Sequence, residues 1–111
     1  MLTREQFFAC PPLPMEEVEV PALGGTVFVK MMNAGERDAF DVEQSRVGMR
    51  DLRARLTVAC ACDAERKPLF GLADVAALSL GSPEALDPIV KAAARINKLT
   101  DDDVDALQKN S

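Results

Sequence analysis

The spacing of apolar residues changes once along the chain, near residue 30. From Glu16 to Pro21 it alternates, with Val18 and Val20 set against Glu17 and Glu19, and it alternates again from Thr26 to Lys30 around Val27 and Val29. A period of two belongs to a strand with one face buried. Ala22, Leu23, Gly24 and Gly25 lie between the two segments. The glycines supply the positive φ of a tight reversal, so the segments are expected to form an antiparallel hairpin. A lone hairpin is marginal in water and must pack on helices or on another chain. Ahead of it, Pro11, Pro12 and Pro14 forbid a continuing helix or a central strand, so residues 1–15 are predicted to be an extended arm. The arm carries Phe7 and Phe8, which are expected to dock on the domain itself or on a neighbouring subunit.

Beyond the hairpin the apolar spacing lengthens to three and four. Asn33 followed by Glu36 matches a capping box, and Ala39, Phe40, Val42 and Val47 continue as a stripe, which predicts a helix over 34–46. Gly48 interrupts it. Met49, Leu52, Leu56, Ala59 and Cys60 then fit a second helix, with Arg50, Arg53 and Arg55 on its other faces. The run Leu56 to Cys62 reads equally well as a short strand, because periodicity does not separate the two in so short a segment. Asp63 to Pro68 is a charged, exposed turn. Leu69 to Leu72 returns to the core, Asp74 starts a short helix through Val75 and Leu78, and Gly81 ends it. Ser82, Pro83 and Glu84 open a further helix whose apolar face is Leu86, Ile89, Val90, Ala93 and Ile96. Thr100 and the acids Asp101, Asp102 and Asp103 cap a final helix carrying Val104 and Leu107. The expectation is an α+β fold: a mostly helical single domain over 16–111 with a small N-terminal antiparallel β-hairpin.

Composition narrows the chemistry. With 48% hydrophobic and 28% charged residues in 111, the chain carries enough apolar side chain for one modest core. Thirteen basic against 18 acidic residues leave a net charge of -5, which disfavours binding to nucleic acid. Histidine is absent, and with it the commonest general base and zinc ligand. No nucleophile has an evident base beside it, so no catalytic residues and no enzyme activity are predicted. Cys10, Cys60 and Cys62 are read as thiols in a reducing cytoplasm, without a structural disulfide. The pair at 60 and 62 lacks partners for a closed metal site and is read as two small buried hydrophobes. The acids at 101–103 read as helix capping instead of a calcium loop. Gly24 and Gly25 lack the context of a phosphate cradle, so no metal or cofactor is expected. No apolar run approaches the roughly 20 residues of a membrane span. Glu5 and the early prolines are unlike a secretory signal, so a cytoplasmic protein is expected. The one basic concentration, Arg46, Arg50, Arg53 and Arg55 around Asp51, has no interleaved aromatics for base stacking. It reads as a solvated helix face or a contact for an acidic partner helix.

An ordered set of segments supplies a resemblance. Val20 to Lys30 is similar to an early hairpin, and Met32-Asn33-Ala34-Gly35-Glu36-Arg37-Asp38-Ala39-Phe40 to a first helix with an acid–arginine pair and an aromatic. Arg55 to Asp63 followed by Pro68-Leu69-Phe70, then Ile96-Asn97-Lys98-Leu99-Thr100, Asp103-Val104 and the ending Leu107 to Ser111, complete the series. In this order the chain resembles the tail assembly chaperones of long-tailed, noncontractile bacteriophages and related prophages. It departs from them at Ala64-Glu65-Arg66-Lys67, where relatives often place a glycine after the acid. The resemblance implies a small noncatalytic protein of the host-cell cytoplasm that binds the long helical tape measure protein, keeps it soluble, and is absent from the mature virion. It also implies that a frameshifted longer form recruits tail tube protein. A client helix with exposed apolar stripes calls for an apolar groove with charged flanks. Phe7, Phe8, Val27, Val29, Val104 and Leu107 are the candidate partner-binding residues. Homo-oligomers through the hairpin edge would suit a long client. The competing reading is a head-tail connector or tail terminator retained in the particle.

Overall fold

The strands and helices follow from the local signals, and their packing does not always. A computed structural model describes residues 1–99, so the predicted final helix with Val104 and Leu107 lies outside the described residues. Strand β1 (Met15–Val20) pairs antiparallel with β2 (Gly25–Lys30), from Val20 opposite Gly25 to Met15 opposite Lys30. A 3-10 turn over Pro21–Leu23 and Gly24 at φ 69 make the reversal, the left-handed residue that the glycine was expected to supply. Val20 is buried and Val18 half-buried, whereas Glu17 and Glu19 face solvent. The predicted hairpin is therefore present, with its alternation kept in β1, whereas in β2 burial rises along the strand until Val29 and Lys30 are both buried.

A helix, α2 (Ala34–Val47), follows with both halves of the capping box made: the Asn33 side chain accepts from Glu36 N–H at 2.8 Å, and the Glu36 side chain accepts from Asn33 N–H at 2.9 Å. The next helix, α3 (Leu52–Cys60), runs directly into a two-residue strand β3 (Ala61–Cys62), which pairs antiparallel with Phe28 and Val29 of β2. Both readings of 56–62 thus hold for different residues. The sheet has the order β1-β2-β3, one strand more than the predicted hairpin. Asp63 closes the turn after β3, its side chain accepting from the N–H groups of Glu65 and Lys67, with Arg66 at φ 68. A short helix α4 (Val75–Ser79) precedes α5 (Pro83–Ile96), which opens on Pro83 with Ser82 as cap, as predicted.

Helix α5 carries the core. Its Leu86, Ile89, Val90, Ala93 and Ile96 are buried, together with Ala92 and Ala94. They pack against β1 and β2 on one side and against Leu52, Leu56 and Cys60 of α3 on the other. Cys60 and Cys62 are buried small hydrophobes, as the sequence suggested, and Cys10 is exposed. One buried polar residue ties these pieces together: Asn97 accepts from the Met32 N–H at 2.8 Å and donates to the Ala93 carbonyl at 2.9 Å.

One expectation needs correction. The N-terminal arm is not extended throughout, because Arg4–Phe8 form a short helix α1 whose Thr3 and Gln6 make a capping box. The prolines that suggested an extended arm begin at Pro11, after this helix has ended. Helix α2 lies where it was predicted, yet none of its residues is fully buried: Phe40 packs half-buried against the core, and Val42 is exposed. Polar ties hold its first turns. Lys30 Nζ pairs with Glu36 at 2.7 Å, and Arg37 Nη1 donates to the Asn97 carbonyl at 2.8 Å.

Candidate functional site

The sequence-predicted contact residues do not gather in one place. Phe7 and Phe8 are 67% and 74% exposed on α1 and lie against no part of the core. Val27 is half-buried beside the core. Val29 is 0% exposed and belongs to the core itself, so it is not a contact surface in the folded chain. Its inward place follows from the strand period that makes Val29 and Ala61 neighbours across β2 and β3.

A different surface has the character of a binding site. Because α2 stands off the core, a groove of about 940 Å³ opens between it and α3. Ala39, Phe40 and Val47 form the α2 wall, Val58 and Ala59 the floor, and Phe70, Leu72 and Val75 the opposite rim. The lining is predominantly apolar and open to solvent. Leu72 is 85% exposed at its edge and extends the apolar lining to the surface. One end of the groove is the corner between α2 and α3, where Gly48 at φ 64 and Asp51 at φ 54 turn the chain. Arg46, Arg50 and Arg55 surround this corner.

The charges on the rim are unequal in what they hold. Glu43 pairs with Arg46, and that hydrogen bond keeps its carboxyl below the usual range against a small opposing effect of burial. At the other end, burial raises the Glu36 carboxyl, but Lys30 and the Asn33 amide outweigh it and the net shift is downward. Arg55 is 9% exposed, with its guanidinium carbon 5.8 Å from the Phe40 ring centroid. Its Nε donates to the Arg50 carbonyl at 2.8 Å and its Nη2 to the Gly48 carbonyl at 2.7 Å. These bonds fix the corner. Nη1 is buried without a partner, as is Oε1 of Gln44 on the facing helix. Burial lowers the Arg55 pKa while the charges of Glu43 and Asp51 pull it back up, and a guanidinium keeps its proton at physiological pH. Arg50 is exposed and has no ion pair among the described residues. No cluster of three His, Cys, Asp or Glu side chains able to hold a metal exists among the described residues. The arrangement can hold an apolar surface with a polar edge.

The arginine concentration at 46–55 was the one sequence signal for this place. Nothing in the spacing of residues 39–47 and 70–75 showed that they would face each other across α3.

Among solved structures, the tail assembly chaperone of bacteriophage HK97 superposes on this chain with a TM-score of 0.62, covering 87% of this chain and 95% of that one at 15% sequence identity. The chain has the tail assembly chaperone fold. No protein-family model and no curated protein matches the sequence. At this level of identity the likeness is one of architecture. It places the hairpin and the helices on one template, in line with the resemblance read from the ordered segments.

Proposed function

We propose that this protein is a noncatalytic tail assembly chaperone that binds the tape measure protein of a noncontractile phage tail and keeps it soluble until tube assembly. The observation that carries the reading is the fold shared with the HK97 tail assembly chaperone over nearly the whole of both chains. Two surfaces support it physically. Phe7 and Phe8 are exposed on α1, and the α2–α3 groove is apolar and open. A long helix that has not yet been surrounded by tube subunits exposes apolar stripes, and burying them on a small partner suppresses their association with one another. On this reading the protein acts in the host cytoplasm, leaves before the virion is complete, associates with further copies along its client, and exists also as a frameshifted form that recruits tail tube protein.

The test is co-expression with the tape measure protein encoded in the same phage or prophage, with client solubility and co-elution on a sizing column as the readouts. The expected result is a soluble client that co-elutes with the chain, and loss of co-elution when Phe7 and Phe8 are both changed to serine. A client that stays insoluble, or that is soluble alone and never co-elutes, overturns the proposal.

A further inference from the structure

We infer that the α2–α3 groove receives an amphipathic helix bearing an acidic side chain, and that Arg50 and Arg55 recognise that acid at the Gly48–Asp51 end. This deepens the chaperone reading and rests on it for the kind of partner. The site, its polar chemistry and the orientation it imposes come from the groove itself.

Shape and apolarity come first. The inner face of α2 has no fully buried residue and the facing rim exposes Leu72, so both walls keep apolar surface open although Phe40 and Phe70 partly pack on the core. A helix with side chains is about 10–12 Å across, and one apolar stripe of it suits an open groove between a helix and a loop. Charge then decides which helix. Glu36 is committed to Lys30 and Glu43 to Arg46. Arg55 donates only to neutral carbonyls, and its Nη1 has no acceptor; Arg50 has no ion pair among the described residues. Asp51 acts on Arg55 through its charge without forming an ion pair with it. After internal pairing, two guanidinium groups face one carboxylate, and the corner keeps a positive excess.

A buried N–H without an acceptor is unfavourable, and a carboxylate is the acceptor a guanidinium binds most strongly. Nη1 is enclosed, so the seam must widen slightly for an incoming acid to reach it. Helix α2 has no fully buried residue, so that widening loosens chiefly the half-buried Phe40. Arg50, already exposed, supplies the first contact. A helix with a basic residue at this position would meet uncompensated like charge, which makes the corner a selector as well as an anchor.

The experiment uses the full chain and synthetic amphipathic helical peptides with one leucine stripe, differing at a single flanking position that is Glu, Gln or Lys. Fluorescence anisotropy at low and high salt reads affinity. On the natural chain the Glu peptide is expected to bind about tenfold more tightly than the Gln peptide, and the Lys peptide more weakly than either. Arg50→Glu should reverse the order of the Glu and Lys peptides, and Arg50→Gln should erase most of the preference. The Arg50 side chain holds nothing in the fold, so both variants should keep the native circular dichroism spectrum. Leu72→Glu should weaken all three peptides by blocking the rim. Equal binding of the three peptides, or a Glu preference that survives Arg50→Glu, overturns the inference. If that happens while the tape measure protein is still solubilised, the chaperone reading stands without this groove. If the Glu preference is found but the tape measure protein is not retained, the chaperone reading fails and the groove chemistry stands.

Discussion

Replacing Asn97 tests how the fold is closed. Its side chain is buried between the end of α5, the end of β2 and α3. In Asn97→Ala the Met32 N–H loses the acceptor it holds at 2.8 Å, in a residue only 5% exposed, so water does not replace it readily. The Ala93 carbonyl fares better, because it still accepts the backbone N–H of residue 97 at 2.9 Å. The contacts to the Lys30 carbonyl at 3.4 Å and to Cys60 Sγ at 3.5 Å are long and contribute little. The loss is therefore one orphaned buried donor and one good hydrogen bond, together about 2–4 kcal/mol. Against a total stability of roughly 5–15 kcal/mol this is a large fraction. With a urea dependence of about 2 kcal/mol per molar, the unfolding midpoint should fall by about 1–2 M. Asn97→Asp keeps the acceptor for Met32 but turns a carboxylate oxygen toward the Ala93 and Lys30 carbonyls, and should be at least as damaging at neutral pH. Equilibrium urea unfolding followed by circular dichroism measures both. A loss below about 0.5 kcal/mol in Asn97→Ala would refute the assignment of Asn97 as the polar tie of the core.

Two other predictions concern the corner and the buried thiol. Gly48 has φ 64 and ψ -135 as the residue that ends α2, and nothing lies within 4 Å of the position a Cβ would take. Gly48→Ala should therefore cost about 1–3 kcal/mol through backbone strain alone, measured by the same unfolding experiment, and an unchanged midpoint contradicts the geometry. Burial pushes the Cys60 thiol up to about 12 from its ordinary 9.0. Because the folded value is the higher one, this contribution to stability is whole below pH 9.0 and is lost progressively as pH rises through about 12, where the folded thiol also ionises. A thiol reagent at about pH 8 should label Cys10 at once and Cys60 only on unfolding; comparable labelling rates in the native chain refute the burial argument.

The parts of the fold that were legible in the sequence are those decided by local chemistry. The Val18–Val20 and Val27–Val29 alternation, the Asn33–Glu36 box and the Ser82-Pro83 start each determine a conformation within a few residues, and each element is where the pattern placed it. What local pattern does not contain is which apolar face finds a partner. The stripe of α2, Ala39, Phe40, Val42 and Val47, is sparser and less regular than Leu86, Ile89, Val90, Ala93 and Ile96 of α5, and α5 lies between the sheet and α3 while α2 is anchored through Glu36 and Arg37 at its first turns. Strand β3 is one of two readings of 56–62, and the pattern does not decide where helix gives way to strand, because Ala61 and Cys62 pair with Val29 and Phe28 more than thirty positions away. For the site, Phe7 and Phe8 are exposed as a contact surface requires, Val29 is core, and the groove is assembled from three stretches that no period connects. The short helix α1 was hidden by the prolines that follow it, although Thr3 and Gln6 carried a capping signal.

The order of the sheet also limits how copies of this chain can meet. With β2 in the middle, the two rims of the sheet left open among the described residues belong to β1 and β3, and neither invites a further strand. Strand β1 follows directly on Pro14 and presents the exposed acids Glu17 and Glu19, so a second β1 laid alongside would bring like charges together. Strand β3 is two residues long and is flanked by the bridge from Cys62 to Pro68. One rim is guarded by repulsion and the other by brevity. At high local concentration, the described sheet therefore offers a poor template for runaway amyloid-like growth.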